Sequence, residues 1–327
     1  MQNNQTNDFS NSTNENTFSK VTNDDNLHDN PSNNSDSQES KNSILSPKLD
    51  VIFQILFGEV GSENITKDLL STILDEEINE IDLDQNIVLR RNFPKDKMGV
   101  VDVLAKINNN EYCNIEMQVT DYKDIVKRML FYWSRQYSKQ IKKSGQYIEL
   151  KRTICVLIAN FSIDELKDLG SHTQWKIIET KNRKKILTDD FELHIIDLTK
   201  MRKEHAKGKD KKLKEWLCFL DNPESKEVLE FMKDNENIKQ AKEKLVTMSE
   251  DETIRRLAEL REKALLDERE AEYTGYCKGK EEGLTEGHAL GVKDKNIEIA
   301  KKMKNEGLDI DMIIKITNLT KEEIEKL

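Results

Sequence analysis

The chain has 327 residues, of which 35% are charged and 36% are hydrophobic. Globular proteins usually have about 45–50% apolar and about 25% charged residues, so this composition excludes one hydrophobic core running through the whole chain. The longest apolar stretch, 154–159, excludes a membrane helix, which needs roughly 18 apolar residues.

No basic segment followed by an apolar stretch begins the sequence, so we expect no secretory signal. The cysteines are scattered without paired spacing, which favours reduced thiols and therefore a cytoplasmic protein. They are Cys113, Cys155, Cys218 and Cys277.

The formal net charge of −10 is unevenly distributed along the chain. Residues 1–43 hold seven acids and two bases, a net charge of −5, so half of the net acidity lies in this segment. It is rich in Asn and Ser and has few hydrophobic residues to offset the entropy of ordering. We therefore expect a disordered acidic leader over 1–43.

The periodicity of residues 46–200 predicts an α/β domain, with a first helix capped at Ser46-Pro47 and ending at Gly58. A second helix is predicted over 63–75. The further predicted elements are strands at 86–91, 98–107 and 111–119, a helix at 121–143, a buried strand at 152–161, and strands near 175–180 and 191–198. The core order is helix, three strands, helix, strand.

Beyond residue 200 the pattern is helical and charged. A basic run at 200–214 reads as a mobile linker or a DNA-contacting flap, and 201–270 as a charged helical region. Glycines recur every fourth residue over 271–292, which indicates either a close helix–helix contact or a semi-ordered spacer, with the spacer slightly favoured. Residues 293–327 predict a small bundle resembling a helix-turn-helix, with a Thr320/Glu323 capping box. Its acidic last helix favours oligomerisation or the docking of a partner over reading DNA.

The segment from Met98 to Gln118 carries the candidate chemistry. If the three asparagines at 108–110 form a loop, paired residue numbers sum to 218 and Asp102 faces Glu116. Directly opposed residues have Cβ atoms about 4.5–5.5 Å apart, where like charges repel, so the two carboxylates need a cation or a proton. No Lys or Arg lies on the immediate hairpin face, which favours a divalent metal held by the two carboxylates. The alternative is a shifted register that leaves both acids on a wet edge.

Together with other residues in the same order along the chain, these acids resemble the Rpn family of recombination-promoting nucleases and putative transposases, within the PD-(D/E)xK nuclease superfamily. The matching residues are the Lys48–Gly58 segment, Asp102, Glu116-Met117-Gln118, Arg128, Tyr132, Gly145-Gln146-Tyr147 and the strand 153–158.

The resemblance implies a restriction-endonuclease-like α/β core (αβββαβ, mixed sheet) followed by an α-helical C-terminal region, and a DNA endonuclease that uses Mg²⁺ or Mn²⁺. It makes Asp102 and Glu116 metal ligands and catalytic residues, and it gives Asp50 a catalytic role at the rim of the site. Gln118 is the fourth expected catalytic residue and would position the attacking water. It stands where the superfamily name has Lys, which replaces a charge by a hydrogen bond, although the family commonly has Gln there. Val101 replaces the motif Pro, a change that we expect to be harmless in a strand.

Lys106 is a possible substitute for the missing charge, although a snorkelling side chain at the strand end is the more frequent reading. The segment 121–143 has a net charge of +5 and interleaved aromatic residues, so we expect it to contact the phosphates of DNA or to form core and solvated faces. The candidate nucleic-acid-binding residues are Lys123, Lys127, Arg128 and Arg135.

Two functions follow from the sequence. The first is a metal-dependent DNA endonuclease that acts in recombination or in a mobile element, and that self-associates through its C-terminal helices. The second is a catalytically degenerate DNA-binding or assembly protein without metal chemistry, which Gln118 and the polar C-terminal half favour.

Overall fold

A six-stranded mixed sheet organises residues 81–197 in the computed structural model, which describes residues 43–84, 102–121, 123–142, 144–203 and 210–327. The strand order across the sheet is β1-β2-β3-β4-β6-β5. The strands are β1 (Ile81–Leu83), β2 (Val103–Ile107), β3 (Glu111–Gln118), β4 (Thr153–Ala159), β5 (His172–Trp175) and β6 (Phe191–Asp197). β3, β4 and β6 are parallel, and the remaining pairs are antiparallel.

Helices cover both faces of this sheet. In chain order they are α1 (Asp50–Gly58), α2 (Glu63–Leu74), α3 (Ile125–Lys139), α4 (Leu198–Met201), α5 (Asp210–Asp221), α6 (Lys226–Phe231), α7 (Glu236–Glu250), α8 (Glu252–Asn305), α9 (Ile310–Thr317) and α10 (Lys321–Glu325). Short 3-10 helices lie at Tyr147–Glu149 and Asp164–Leu166. The αβββαβ order is confirmed, with β1 as its first described strand. Among the described helices, none is both long and apolar enough to cross a bilayer.

The alternation of side chains divides the core into two layers. Cys113, Ile115 and Met117 of β3 pack with α1 and α2 on one face of the sheet. The opposite face packs against α3, where Met129 contributes to a second cluster that includes Leu157. All seven residues of β4 are buried, as expected for a central parallel strand covered on both faces.

Helices beyond residue 200 share the first of these cores. Trp216 of α5 is fully buried, and its indole Nε1 donates a hydrogen bond to Asp68 Oδ2 at 2.8 Å. The ring of Trp216 meets Phe57 edge-on, with the centroids 5.9 Å apart. The division between 46–200 and 201–270 therefore stays a prediction about domains, because one hydrophobic core includes residues from both sides of it.

The structure changes four details of the expected elements. Ser46 and Pro47 form a turn and Leu49 caps α1, because Leu49 N–H already bonds to the carbonyl of Ser46 at 3.2 Å. The third helix spans 125–139 rather than 121–143, and the strand expected near 175–180 lies at 172–175, where it can pair with β6. The glycines over 271–292 lie inside the continuous helix α8 rather than in a semi-ordered spacer, because its hydrogen bonds continue through them.

Several predicted features lie outside the described residues. They are the leader apart from Ser43, the strand at 86–91, the start of the strand at 98–107 with Val101, Tyr122, Lys143 and part of the basic run at 204–209. The C-terminal bundle is described: α9 and α10 fold back on the end of α8 around Ala300, Ile313 and Ile324. The Thr320/Glu323 capping box is present.

An arginine at the start of β4 joins three separate segments. Arg152 Nη2 lies 2.6 Å from Glu192 Oε2 on β6, and its Nη1 lies 3.0 Å from Glu76 after α2 and 3.1 Å from Glu111 on β3. Burial of Glu192 would raise its pKa, but hydrogen bonds from His194, Gln174 and Arg152 outweigh burial and hold the pKa far below its ordinary range. The network therefore requires a charged Glu192.

We predict that Arg152→Ala lowers the free energy of unfolding by about 3 kcal/mol, because it leaves the buried Glu192 carboxylate without its main cation. Urea denaturation followed by circular dichroism measures the change. Lys151→Ala, at the exposed neighbouring side chain, is the matched control and should change stability by less than about 0.5 kcal/mol. Equal denaturation midpoints for the two variants would contradict a stabilising role for the network.

Candidate active site

The β2–β3 hairpin has the register that the sequence predicts. Ile107 pairs with Glu111 and Val103 pairs with Ile115, so paired numbers sum to 218. The tight loop is possible because Asn108 and Asn110 adopt positive φ angles of 42° and 62°, which Asn tolerates better than most residues. One step beyond the last pair, the register places Asp102 opposite Glu116.

The Asp102 side chain joins the two strands at the end of the hairpin that lies away from the loop. Its Oδ2 accepts a hydrogen bond from the backbone N–H of Met117 at 2.8 Å, and its side chain is only 2% exposed. The neighbouring helix α1 approaches closely here, because a Cβ added to Gly58 would lie 3.8 Å from the Asp102 carbonyl oxygen and 3.3 Å from Val103 Cγ2. The Met117 N–H therefore positions the carboxylate, while α1 packs closely against the backbone of the same residue.

Glu116 and Gln118 lie on the face of β3 that α3 covers. Glu116 is 2% exposed, and Gln118 Nε2 donates a hydrogen bond to Glu116 Oε2 at 3.2 Å. Because a side-chain amide has both donor and acceptor ends, this bond orients Gln118 with its carbonyl oxygen pointing away from the carboxylate. The structure therefore brings three of the four predicted catalytic residues to one end of one hairpin.

Helix α3 adds a tyrosine and an arginine to this site. The Tyr132 hydroxyl accepts hydrogen bonds from Arg128 Nη2 at 3.0 Å and Nε at 3.3 Å. Burial raises the pKa of Tyr132, the negative charges of Glu116 and Asp102 raise it further, and Arg128 opposes them. The charge of the acid pair therefore acts on the Tyr132 hydroxyl, and Arg128 brings a cation to the face of β3 that α3 covers.

Arg128 and Tyr132 are part of the family resemblance, but the prediction did not use the spacing between them. Arg128 and Tyr132 are four residues apart, so they lie on the same face of a helix. The aromatic residues of α3 were expected to be core or DNA-contacting as one group, but they differ. Both Tyr132 and Trp133 are half-buried and pack against the second cluster. Trp133 Nε1 bonds to the carbonyl of Thr153 at 2.9 Å, whereas the Tyr132 hydroxyl bonds to Arg128.

The donor set fits a hard divalent cation. Asp102 and Glu116 supply carboxylate oxygens, which Mg²⁺ and Mn²⁺ prefer, and Mg²⁺ is commonly bound by one or two carboxylates with water and substrate phosphate. Within the described ranges, no three His, Cys, Asp or Glu side chains come together as a group that could hold a metal ion. The protein thus offers a two-carboxylate site that substrate and water would complete.

Asp50 is not part of such a three-ligand group in the described residues. Both of its carboxylate oxygens lie 3.0 Å from Arg261 Nε, and Oδ2 lies 3.0 Å from Arg261 Nη2. Its position at the start of α1 thus links this helix to α8. The expected catalytic role of Asp50 stays a prediction.

The four predicted DNA-contacting side chains have different surroundings. Lys123 and Lys127 are exposed, whereas Arg128 and Arg135 are partly buried. Lys106 lies four residues along β2 from Asp102, roughly 13 Å away, with its Nζ 5.7 Å from the centroid of the Tyr112 ring. This placement agrees with the snorkelling reading of Lys106 rather than with a catalytic one.

We predict that Asp102→Ala and Asp102→Asn differ in stability. Alanine leaves the buried Met117 N–H without its acceptor, which costs about 1–3 kcal/mol, whereas the Asn carbonyl oxygen can still accept that bond. Thermal or urea unfolding in the presence of EDTA measures both variants against wild type. Equal stability of the two variants would show that the Asp102–Met117 bond does not fasten the hairpin.

The chain matches one known family of proteins. Searches of curated proteins and of solved structures found no match. A family model described as PD-(D/E)XK nuclease family transposase matches residues 47–274, well over half of the chain. The match includes the sheet, the acid pair and the helices that share the core beyond residue 200. The chain belongs to the PD-(D/E)XK nuclease family of transposases.

Proposed function

We propose that this protein is a divalent-metal-dependent DNA endonuclease that hydrolyses phosphodiester bonds in recombination or in the movement of a mobile element. The observation that carries the proposal is the buried pair Asp102 and Glu116 at one end of the β2–β3 hairpin. The family assignment supports a nuclease and mobile-element role. The cofactor that we propose is Mg²⁺ or Mn²⁺.

Each residue of the site has a proposed task. Asp102 and Glu116 would hold the cation, which when bound lowers the pKa of a water molecule and neutralises charge on the scissile phosphate. The Gln118 carbonyl oxygen, oriented by the bond between its amide and Glu116, accepts a hydrogen bond from the attacking water. Tyr132, held by Arg128, borders the acid pair from α3.

Arg128 offers a physical reason why Gln118 can replace a lysine. The lysine of the superfamily name would bring a full positive charge to the attacking water or phosphate, and Gln118 brings none. The Arg128 guanidinium is always charged and can donate in several directions, so it can stabilise phosphate oxygens while it holds Tyr132. We therefore propose that the missing charge is supplied from α3 rather than from β3.

Substrate contact is proposed for the exposed Lys123 and Lys127 at the start of α3, with Arg128 and Arg135 closer to the protein interior. Such contacts with phosphates position DNA without reading its sequence.

The free cysteines of the described residues suit a reducing cytoplasm, and burial raises the pKa of Cys155 well above its ordinary value, which keeps this thiol protonated.

A second function rests on Gln118. Without a cation on β3, the acid pair could be a remnant in a DNA-binding or assembly protein without metal chemistry. This alternative predicts DNA binding with no metal-dependent cutting.

We predict that wild-type protein nicks or cuts plasmid DNA with Mg²⁺ or Mn²⁺, and that Asp102→Asn and Glu116→Gln each lower the rate at least 100-fold, because each removes one of two charged ligands. Gel analysis of supercoiled plasmid measures the rate. Asp82→Asn changes an exposed acid on the adjacent strand β1 and is the matched control, which should retain the wild-type rate. Equal rates in all four proteins would exclude the acid pair as the catalytic centre.

Self-association is proposed for α8. From Leu266 to Lys295 every residue is exposed, and nothing lies within 4 Å of a Cβ added to any of its five glycines. Each helical Gly costs about 1 kcal/mol relative to Ala, so a helix this long, polar and glycine-rich needs a partner. Glycines spaced by four allow close approach of a second helix, which we propose is α8 of another copy.

We predict that Gly279→Leu with Gly283→Leu lowers the oligomeric mass in light scattering, because the added side chains block close approach. Within one copy they meet open space. The matched control is Ala289→Leu, an exposed position of the same helix away from the glycine positions, which should keep the wild-type mass. A wild-type mass of one 38.1 kDa chain, or an unchanged mass in the double variant, would contradict this contact.

A further inference from the structure

A two-stranded arm extends from the edge of the sheet between β5 and β6. In this segment, 176–187, Glu179 N–H bonds to the Lys185 carbonyl at 2.9 Å and Leu187 N–H bonds to the Ile177 carbonyl at 3.0 Å. Ile178 pairs with Ile186 in antiparallel orientation. We call residues 176–187 the basic arm.

The basic arm concentrates positive charge at its tip. Its single acid, Glu179, accepts a hydrogen bond from the backbone N–H of Asn182, and Lys176 lies 3.5 Å from Glu192. Four other cations are exposed at the turn, and across the described parts of the chain no carboxylate lies within ion-pairing distance of them. They are Lys181, Arg183, Lys184 and Lys185.

Among the described residues, the hydrophobic clusters of the protein do not include the apolar side chains of this arm. An isolated two-stranded hairpin is marginally stable in water, and crowded like charges weaken it further. Its apolar residues do not form a core either, since Ile177, Ile178 and Ile186 are exposed and Leu187 is 76% exposed. A polyanion that neutralises the turn would therefore stabilise the arm as it binds.

We infer that the basic arm binds double-stranded DNA, and this inference rests on the proposed function in assuming that DNA is the substrate. The major groove of B-DNA, about 12 Å wide, admits a two-stranded β-ribbon, and cations at the turn can contact the flanking phosphates. An anionic membrane fits less well. Ile177 and Ile178 are neighbours in an extended strand and point to opposite faces, so the arm has no single apolar face to insert.

The arm contacts DNA at a place separate from the acid pair. β5 and β6 are antiparallel, and the arm leaves the sheet where β4 and β6 begin, whereas Glu116 lies toward the end of β3, at the level of Leu157 and Ile195. The basic helix α3 connects the two regions. Its Tyr137 hydroxyl donates to Asp190 Oδ2 at 2.9 Å, three residues beyond the arm, and Lys139 and Lys142 are exposed nearby along the chain. Helix α3, which carries four cations and no acid, thus reaches from the site to the residues beside the arm.

The test is DNA binding without cutting, measured by fluorescence anisotropy of a labelled duplex of about 30 base pairs in EDTA, over a series of salt concentrations. The arm variant replaces all four turn cations by Gln. We expect at least a tenfold rise in Kd at 0.1 M salt, and a plot of log K against log salt that is less steep by about 3.6, because each of the four phosphate contacts contributes about 0.9 to the slope.

A matched control removes four exposed lysines outside the arm and the site, and its Kd should stay within twofold of wild type. It carries Gln at Lys226, Lys263, Lys301 and Lys315. Equal weakening of the two variants would mean that total charge matters and would overturn the inference, as would unchanged binding by the arm variant. Loss of binding to vesicles containing anionic lipid, with duplex binding retained, would overturn it in favour of a membrane.

The result is distinguishable from failure of the proposed nuclease activity. If wild type does not cut DNA but the arm variant alone loses duplex binding, the arm inference holds and the nuclease proposal fails. If wild type cuts DNA and the arm variant binds and cuts equally well, the arm inference fails and the nuclease proposal holds.

Discussion

The repulsion between two buried carboxylates is the constraint on which the proposed function depends. At a separation of about 5 Å and an effective dielectric constant near 20, two unit charges repel by about 3 kcal/mol. The hairpin register cannot shift to separate the two carboxylates, because a shift by one residue would move every apolar residue of β3 to the wrong face of the sheet. The structure opposes the repulsion with the Met117 N–H, the Gln118 amide and the Arg128 cation beside Tyr132, all of which gather at this end of the hairpin.

The local part of this arrangement is predictable from the sequence. Three asparagines between alternating apolar residues determine a short loop, the loop determines the register, and the register places Asp102 opposite Glu116. β4 is likewise predictable, because a continuous run of β-branched and apolar residues is typical of a central parallel strand. The family resemblance is confirmed by the family model, whereas the roles that it implies for the two acids stay a proposal.

The remaining features depend on contacts between residues far apart in the chain. Asp50 pairs with Arg261, which is 211 residues away, and Trp216 bonds to Asp68 across 148 residues. No periodicity within a segment predicts such pairs. The same applies to Arg152, whose three carboxylate partners lie in other segments of the chain. The basic arm could not be predicted for another reason. Its sequence alternates too little between apolar and polar residues to indicate a hairpin, and its two strands pair with each other rather than with the sheet.

Metal binding by Asp102 and Glu116 is the central claim, and calorimetric titration of Mn²⁺ and Mg²⁺ into the protein tests it without requiring cleavage. We expect saturable binding to wild type, and a loss of affinity of at least tenfold in Asp102→Asn and in Glu116→Gln. The exposed-acid control Asp82→Asn should bind as wild type does. Two results would contradict the account. Wild type could show no saturable metal binding, either alone or with non-cleavable DNA, or all variants could bind the metal equally well.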